Sequence, residues 1–361
     1  MSPSRQRSRL TNASPTEACS HSVDDWIKRK TTTAIGEHDM KAGIATDKGL
    51  ALRDIAQPKP KPNEVLVRVR AAALNRADLA TARGVPHGSH GGIGAAVGLE
   101  WAGEVVETGA EVIGHKPGER VMCSGTGGYA EYAVTDWGRV NPIPEGMSFE
   151  QAATLPVALL TLHNALVTAG RLKPGESVMI QGASSGVGLM GLQIAKIMGA
   201  KLVIGSSTND VRRARLKDFG ADLAVDTRDA TWPDAVLAAT SGKGVDLVVD
   251  MLSGPVVTQT MKATAILGRI VNVGRLAGMK AEFDFDLHAR RRIDYIGVTF
   301  RTRTLEDVRV ISRRMRADLW DAVTAGKLSL PIDRRFPLDE AVAAQAHMRE
   351  NKHFGKIVLT M

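Results

Sequence analysis

Seven residues, Gly182-Ala183-Ser184-Ser185-Gly186-Val187-Gly188, constrain this chain more than any other stretch. They follow a short apolar run, Ser177-Val178-Met179-Ile180-Gln181, and open a segment whose apolar residues Val187, Met190, Ile194 and Ile197 recur at helical spacing. A glycine-rich turn between strand and helix lets the backbone approach a pyrophosphate, whose charge rests on the free N–H groups of the helix N-terminus. The same alternation continues downstream, with strands predicted over 201–205, 223–226, Val245–Asp250 and 269–273 and helices between them. Strands without in–out alternation, separated by helices, predict a parallel sheet covered on both faces.

The second strand of the series discriminates between nicotinamide cofactors. A site for the unphosphorylated dinucleotide offers Asp or Glu about 20 residues beyond the turn, to bond the ribose 2′-hydroxyl. Here the strand ends Val203-Ile204-Gly205-Ser206-Ser207-Thr208, no acid follows before Asp210, and Arg212, Arg213 and Arg215 come next. Hydroxyls and guanidinium groups suit a 2′-phosphate, so NADPH is the expected cofactor. The turn also matches that of short-chain dehydrogenases, which need a Tyr with Lys four residues later. The three tyrosines, Tyr129, Tyr132 and Tyr295, are followed at that distance by Ala133, Asp136 and Thr299, which removes that rival.

Upstream, 41–144 reads as strands and turns. Val65, Val67 and Val69 alternate along 64–70, a second strand is expected over 129–134, and Pro58, Pro60, Pro62, Pro117-Gly118 and Pro142 punctuate the segment. After Thr304 a helix and a closing strand, Lys356–Thr360, are expected. Residues 1–39, rich in Arg and Ser, carry no periodic apolar pattern and are expected to be a disordered extension. With 361 residues, two domains are the expectation. The longest apolar stretch, 152–169, is interrupted by Pro156, His163 and Asn164, so no membrane span is expected. Two cysteines, Cys19 and Cys123, support neither a disulfide framework nor a four-thiolate zinc site, and the expected location is cytoplasmic. The net charge of +8 is concentrated in clusters around Arg290-Arg291-Arg292, Arg301, Arg303 and Arg313-Arg314. Aromatic residues make up only 4% of the chain, which leaves little to stack bases, so nucleic acid is not the expected partner.

Several segments together resemble the medium-chain dehydrogenase/reductases. They are Ala73-Leu74-Asn75-Arg76-Ala77-Asp78-Leu79, Gly98-Leu99-Glu100-Trp101-Ala102-Gly103, Asn141-Pro142-Ile143-Pro144-Glu145-Gly146, the 182–188 turn, and Asn351-Lys352-His353-Phe354-Gly355-Lys356-Ile357-Val358-Leu359. The resemblance is to the zinc-free, zeta-crystallin-like quinone oxidoreductases, and within them to the tumour-suppressor-inducible group. It implies an α/β fold in which a Rossmann doubly wound parallel sheet, 163–299, is inserted into a GroES-like β-barrel catalytic domain, 40–162 and 300–361. It also implies a homodimer, or a tetramer, and no metal: the position of the zinc members' His before Glu is Leu99, and the Asn75–Asp78 segment has no cysteine. His87 and His90, in a glycine-rich loop, are expected to be exposed to solvent rather than to bind metal.

Site residues carry over one by one as implications of the resemblance. Asn75 lines the nicotinamide end as the candidate substrate contact, and Asp78 is structural. Cofactor contacts fall on Thr161, on the turn residues Ser185, Gly186 and Val187, on Ser207 and Arg212 at the 2′-phosphate, on Gly274 beneath the nicotinamide, on Phe300 and Arg301 at its carboxamide, and on Lys356. Thr227 stands where the family has a second 2′-phosphate contact, a tyrosine. The family's substrate-side tyrosine aligns near Pro86, in an altered loop. Without a Lewis acid to stabilise an alkoxide, alcohol oxidation is disfavoured. A quinone or another electrophilic conjugated carbonyl accepts hydride directly and is the expected small-molecule partner. Reduction of an enoyl or alkenal C=C bond, and NADPH-sensitive RNA binding, are the alternatives.

Overall fold

The structure, a computed structural model, describes residues 39–88 and 91–361. The expected extension, apart from Asp39, lies outside the described residues, as do Cys19 and His90. β1 (Asp39–Thr46) and β2 (Gly49–Ala56) form a two-stranded sheet. β3 (Glu64–Ala73), β4 (Glu100–Thr108), β5 (Arg120–Ser124), β6 (Tyr132–Asp136) and β7 (Val140–Pro142) supply most of a larger sheet, with β6 alongside β3. Val65, Val67 and Val69 are buried as the alternation requires; on the other face Leu66 is buried while Arg68 and Arg70 are exposed. The strand expected over 129–134 starts at Tyr132 instead, because the fully buried Tyr129 is committed to a hydrogen bond with Asp78.

The apolar stretch near the middle folds as two helices, Phe149–Ala153 and Pro156–His163, running into a π-helix, Asn164–Ala169. Pro156 starts the second helix, where its missing N–H is harmless, rather than interrupting the run. The 149–169 segment is long and apolar enough to cross a membrane by length and composition alone, and 72% of its most apolar window is buried inside the protein.

β8 (Ser177–Ile180), β9 (Leu202–Ser206), β10 (Leu223–Val225), β11 (Val245–Asp250), β12 (Thr264–Asn272) and β13 (Asp294–Gly297) form an all-parallel sheet in the order β10-β9-β8-β11-β12-β13. Val178 of β8 lies level with Val203 on β9, and Leu247 of β11 with the same Val178, so the central strands are buried on both faces. The chain reverses direction of travel across the sheet between β8 and β11, and ligands of such sheets bind outside the carboxyl ends at that switch point. β14 (Ile332–Pro337) and β15 (Lys356–Thr360) then return to the larger sheet, with Leu359 of β15 opposite Ala72 of β3. The parallel sheet is thus inserted within the antiparallel one. β14 and the helix Ala341–Arg349 are not expected from the sequence; Phe336, Ala341, Ala344 and Met348 bury too few apolar positions in too short a span to stand out.

Candidate active site

A cleft of about 1130 Å³ opens at the carboxyl ends of β8, β9, β11 and β12. Its floor is the 182–188 turn. Gly182 takes a left-handed backbone (φ +70°), and its N–H donates to Ser206 Oγ at 3.0 Å. Ser185 caps the helix Gly186–Ile197: its Oγ accepts from Gly188 N at 3.1 Å and donates to the Gly182 carbonyl at 3.0 Å. A Cβ on Gly188 would sit 2.6 Å from Ala183 Cα, so the first helical turn can lie this close to the strand only with glycine there. Ser184, Ser185, Gly186 and Val187 all line the cleft.

At one end stand Ser207, Thr208, Arg212 and Thr227. Ser207 Oγ donates to Ser184 Oγ at 2.9 Å, tying the end of β9 to the turn. Only one of the three arginines after β9 faces the cleft. Arg213 is spent on Asp210 and Asp226, and Arg215 lies over the Phe354 ring, 4.0 Å from its centroid. Arg212 bonds the His353 carbonyl at 3.2 Å, while its buried Nε has no partner among the described residues. Asp226, the acid nearest this end, is held at about 2, mainly by its hydrogen bonds from Arg228. Sequence reasoning missed a second guanidinium here. Arg76 also lines the cleft, donates to Asn351 Oδ1 at 2.8 Å, and has its pKa lowered by burial and then by the neighbouring charge of Arg212. Its signal was its place inside the Asn75–Asp78 motif. His353 beside them is pushed down to about 4, first by burial and next by Arg76, so it adds no charge near neutral pH.

Towards the other end the cleft is bounded by Asn75, Leu99, Thr161, Val273, Gly274, Phe300 and Arg301. A Cβ on Gly274 would approach the Met251 carbonyl oxygen to 2.7 Å, which keeps this wall flat. Asn164, missed in the sequence, lines the cleft from the π-helix; it is 1% exposed, and neither its amide nitrogen nor its oxygen has a partner among the described residues. Its position three residues after Thr161 was the available clue. His87 is half-buried and lines the cleft instead of facing solvent, because the loop closes against Arg301: a Cβ on Gly88 would lie 2.9 Å from that residue's carbonyl oxygen.

Beneath this end lies a buried polar network. Lys356 Nζ pairs with Glu100 and donates to Asn75 Oδ1 at 2.8 Å, while Asn75 Nδ2 donates to Glu100 Oε1 at 2.9 Å. Glu100 Oε2 accepts from Val157 N at 2.8 Å, and Asp78 Oδ2 accepts from Asn75 N and Tyr129 Oη, each at 2.7 Å. Lys356, a cofactor candidate from the sequence, lines the cleft, and its ammonium is paired with Glu100. Asn75 lines the cleft but is oriented by Glu100 and Lys356.

The unpartnered Arg212 Nε, the unpartnered Asn164 amide and the glycine cradle fit a nicotinamide dinucleotide, which Ser184–Val187, Ser207, Arg212, Thr161 and Gly274 would hold. The donor set for a catalytic zinc does not fit: Leu99 occupies one ligand position, Glu100 is consumed by Lys356, Asn75 and Val157, and no group of three His, Cys, Asp or Glu converges among the described residues. Cys123 is buried in β5, and burial pushes its thiol well above its ordinary range.

Two family models match: an alcohol dehydrogenase GroES-like domain over residues 61–145 and a zinc-binding dehydrogenase over 186–315. A phenolphthiocerol/phthiocerol polyketide synthase of Mycobacterium tuberculosis is 32% identical over 86% of this chain, which spans 14% of that protein's length. The quinone oxidoreductase of Rattus norvegicus is 29% identical, over 85% of this chain and 92% of the rat protein. A solved probable oxidoreductase from Mycobacterium abscessus is 31% identical over 90% of this chain and all of its own, with a TM-score of 0.75.

Proposed function

This chain belongs to the medium-chain dehydrogenase/reductase superfamily, and on that premise we propose that it transfers hydride from NADPH to a quinone or other electrophilic conjugated carbonyl. The observation that carries the choice of cofactor is the pair Arg76 and Arg212. Two guanidiniums close enough to repel each other, at the end of a strand offering Ser207 and Thr208 but no acid, are suited to a phosphate between them. Bound NADPH supplies a hydride, two electrons with one hydrogen nucleus, and a quinone that accepts it takes up one proton to become the hydroquinone. The chain's part is positional. The 182–188 turn and the helix behind it hold the pyrophosphate, the Gly274 wall and Thr161 fix the nicotinamide, and Asn164 offers a donor and an acceptor to a carboxamide or a carbonyl. Leu99, Val273 and Phe300 keep the meeting point apolar, where a flat acceptor excludes water. The acceptor carbonyl needs no metal if negative charge delocalises into a ring or a conjugated chain. The rat relative, a quinone oxidoreductase by name, supports the same acceptor class.

Steady-state oxidation of NADPH and NADH with 1,4-benzoquinone, 9,10-phenanthrenequinone and a conjugated enal tests this reading. NADPH is expected to be preferred with the quinones. Arg212→Gln removes a charge-assisted hydrogen bond worth ~1.5–3 kcal/mol, so kcat/KM for NADPH should drop by roughly 10- to 150-fold while that for NADH changes little. Equal losses with both cofactors would refute the phosphate assignment, and a saturated carbonyl from the enal, without quinone turnover, would replace quinone reduction by C=C reduction.

A further inference from the structure

Positive charge in the cleft exceeds what the cofactor end uses. On the side facing β3, β6 and the start of the helix Leu305–Thr324, the walls carry Lys59, Lys61, Arg139 and Arg303, against two carboxylates, Glu64 and Asp136. Both carboxylates are engaged. Glu64 accepts from Lys61 N at 3.0 Å and pairs with Lys61 Nζ at 3.4 Å. Asp136 takes two hydrogen bonds from Arg309, at 3.0 and 2.7 Å, one from Asn63 Nδ2 at 2.6 Å and one from Gly138 N at 3.0 Å. Arg303 is bonded to the Thr299 carbonyl at 3.2 Å.

Arg139 is left over. It ends the short 3-10 turn Trp137–Arg139, is half-buried, and lines the cleft. Its guanidinium makes no hydrogen bond or ion pair with any described residue, and burial lowers its pKa, with Asp136 only partly opposing. A half-buried, planar five-donor fork with no protein acceptor, on the wall of a cleft, is a ready seat for an oxyanion, whose geometry it matches. A neutral quinone does not.

We propose that Arg139 is the specificity-determining residue of an oxyanion subsite in the acceptor part of the cleft, and that the preferred acceptor carries an anionic carboxylate or phosphate group besides its electrophilic carbonyl. This rests on the reading of the cleft as a hydride-transfer site. Lys59 and Arg303 add to the local positive potential; Arg303 spends its Nε on the Thr299 carbonyl, whereas the whole guanidinium of Arg139 is unused. The anionic end of the acceptor seats on Arg139 while its conjugated end reaches the apolar wall between Leu99 and Phe300.

The test compares 1,4-naphthoquinone with 1,4-naphthoquinone-2-sulfonate as acceptors for the full chain and NADPH, in wild type, Arg139→Gln and Arg139→Lys. Arg139→Gln is expected to lower kcat/KM for the sulfonate at least tenfold more than for the parent quinone, through KM, and Arg139→Lys to recover part of the difference. Raising salt should raise KM for the sulfonate in the wild type and do so much less in Arg139→Gln. Benzoate and phenyl phosphate as inhibitors competitive with the acceptor separate the two anion classes: stronger inhibition by one names the group, and inhibition by neither overturns the subsite. Equal losses with both quinones also overturn it, while leaving hydride transfer in place. If neither quinone is reduced although NADPH binds, the reading of the reaction fails and the subsite with it. Should Arg139→Gln not fold, Lys59→Gln, at an exposed position, should show a two- to threefold loss selective for the sulfonate, and an unselective result overturns the proposal.

Discussion

Replacing Lys356 by Met, Glu100 by Gln, and both together, tests whether the buried ion pair beneath the cleft is a matched unit. Glu100 is 0% and Lys356 3% exposed, so neither charge can turn to water when its partner is lost. Lys356→Met strands a carboxylate that still accepts from Val157 N and Asn75 Nδ2; Glu100→Gln keeps an acceptor for only one of those donors, which bond different oxygens, and strands the ammonium. Removing one member of a buried pair costs ~3–5 kcal/mol, because the remaining charge stays desolvated without compensation. With both charges gone, the amide can still serve Val157 N, and a Met side chain fills the stem of Lys356. The double variant should therefore lose less than either single one, roughly 2 kcal/mol or less on the same reasoning. Urea unfolding followed by tryptophan fluorescence measures all four proteins, and the cycle yields a coupling of at least ~4 kcal/mol. Losses that add would refute the reasoning, since they would mean that each group is stabilised by its surroundings and not by its partner.

Two further outcomes follow from the same part of the molecule. Asp78 is raised to about 7, chiefly by burial, against its hydrogen bonds from Tyr129 and Asn75. The unfolded chain gives up this proton near 3.8. Between these values the folded state holds the extra proton, so this group's contribution to stability falls as pH rises and levels off above about 7. Asp78→Asn lacks that titration, and its stability relative to wild type should improve by ~1.4 kcal/mol per pH unit across the window; a difference independent of pH would exclude the shift. Gly274→Ala places a methyl group 2.7 Å from the Met251 carbonyl oxygen, a backbone atom that cannot swing aside. A loss of ~1–3 kcal/mol and a higher KM for NADPH are expected, and an unchanged melting temperature with unchanged KM would show that the wall is not tight.

The charge clusters read from the sequence also resolve differently once the chain is folded. Arg313 pairs with Glu306, Arg309 with Asp136, and Arg316 lies over the Trp320 ring, 5.4 Å from its centroid. The arginines of the helix Leu305–Thr324 are balanced by Glu306, Asp307, Asp318 and Asp321 on the same helix. The cleft wall carries positive side chains of its own, and a concave wall of one sign concentrates the field that draws an anionic ligand.

The sequence alone determined the parallel sheet, the phosphate-binding turn and the hydroxyl-rich end of β9, because these depend on residues close together in the chain. Periodicity, a Gly-Ser turn and the absence of an acid after a strand act within a few residues and are written where they act. It also determined that Leu99 stands where a zinc ligand would. What only the tertiary structure decided is which of several equivalent side chains face the cleft and which are already spent. Arg212 faces it while Arg213 is consumed by Asp210 and Asp226, a choice made by the packing of β10 beside β9. Lys356 is brought onto Glu100 only when β15 pairs with β3. Arg76, Asn164 and Arg139 lie in the turn after β3, the π-helix and the turn after β6, and only weak local signals mark the first two. Folding gathers them on the wall of one cleft, buries both polar atoms of the Asn164 amide without a partner among the described residues, and leaves the half-buried Arg139 without one.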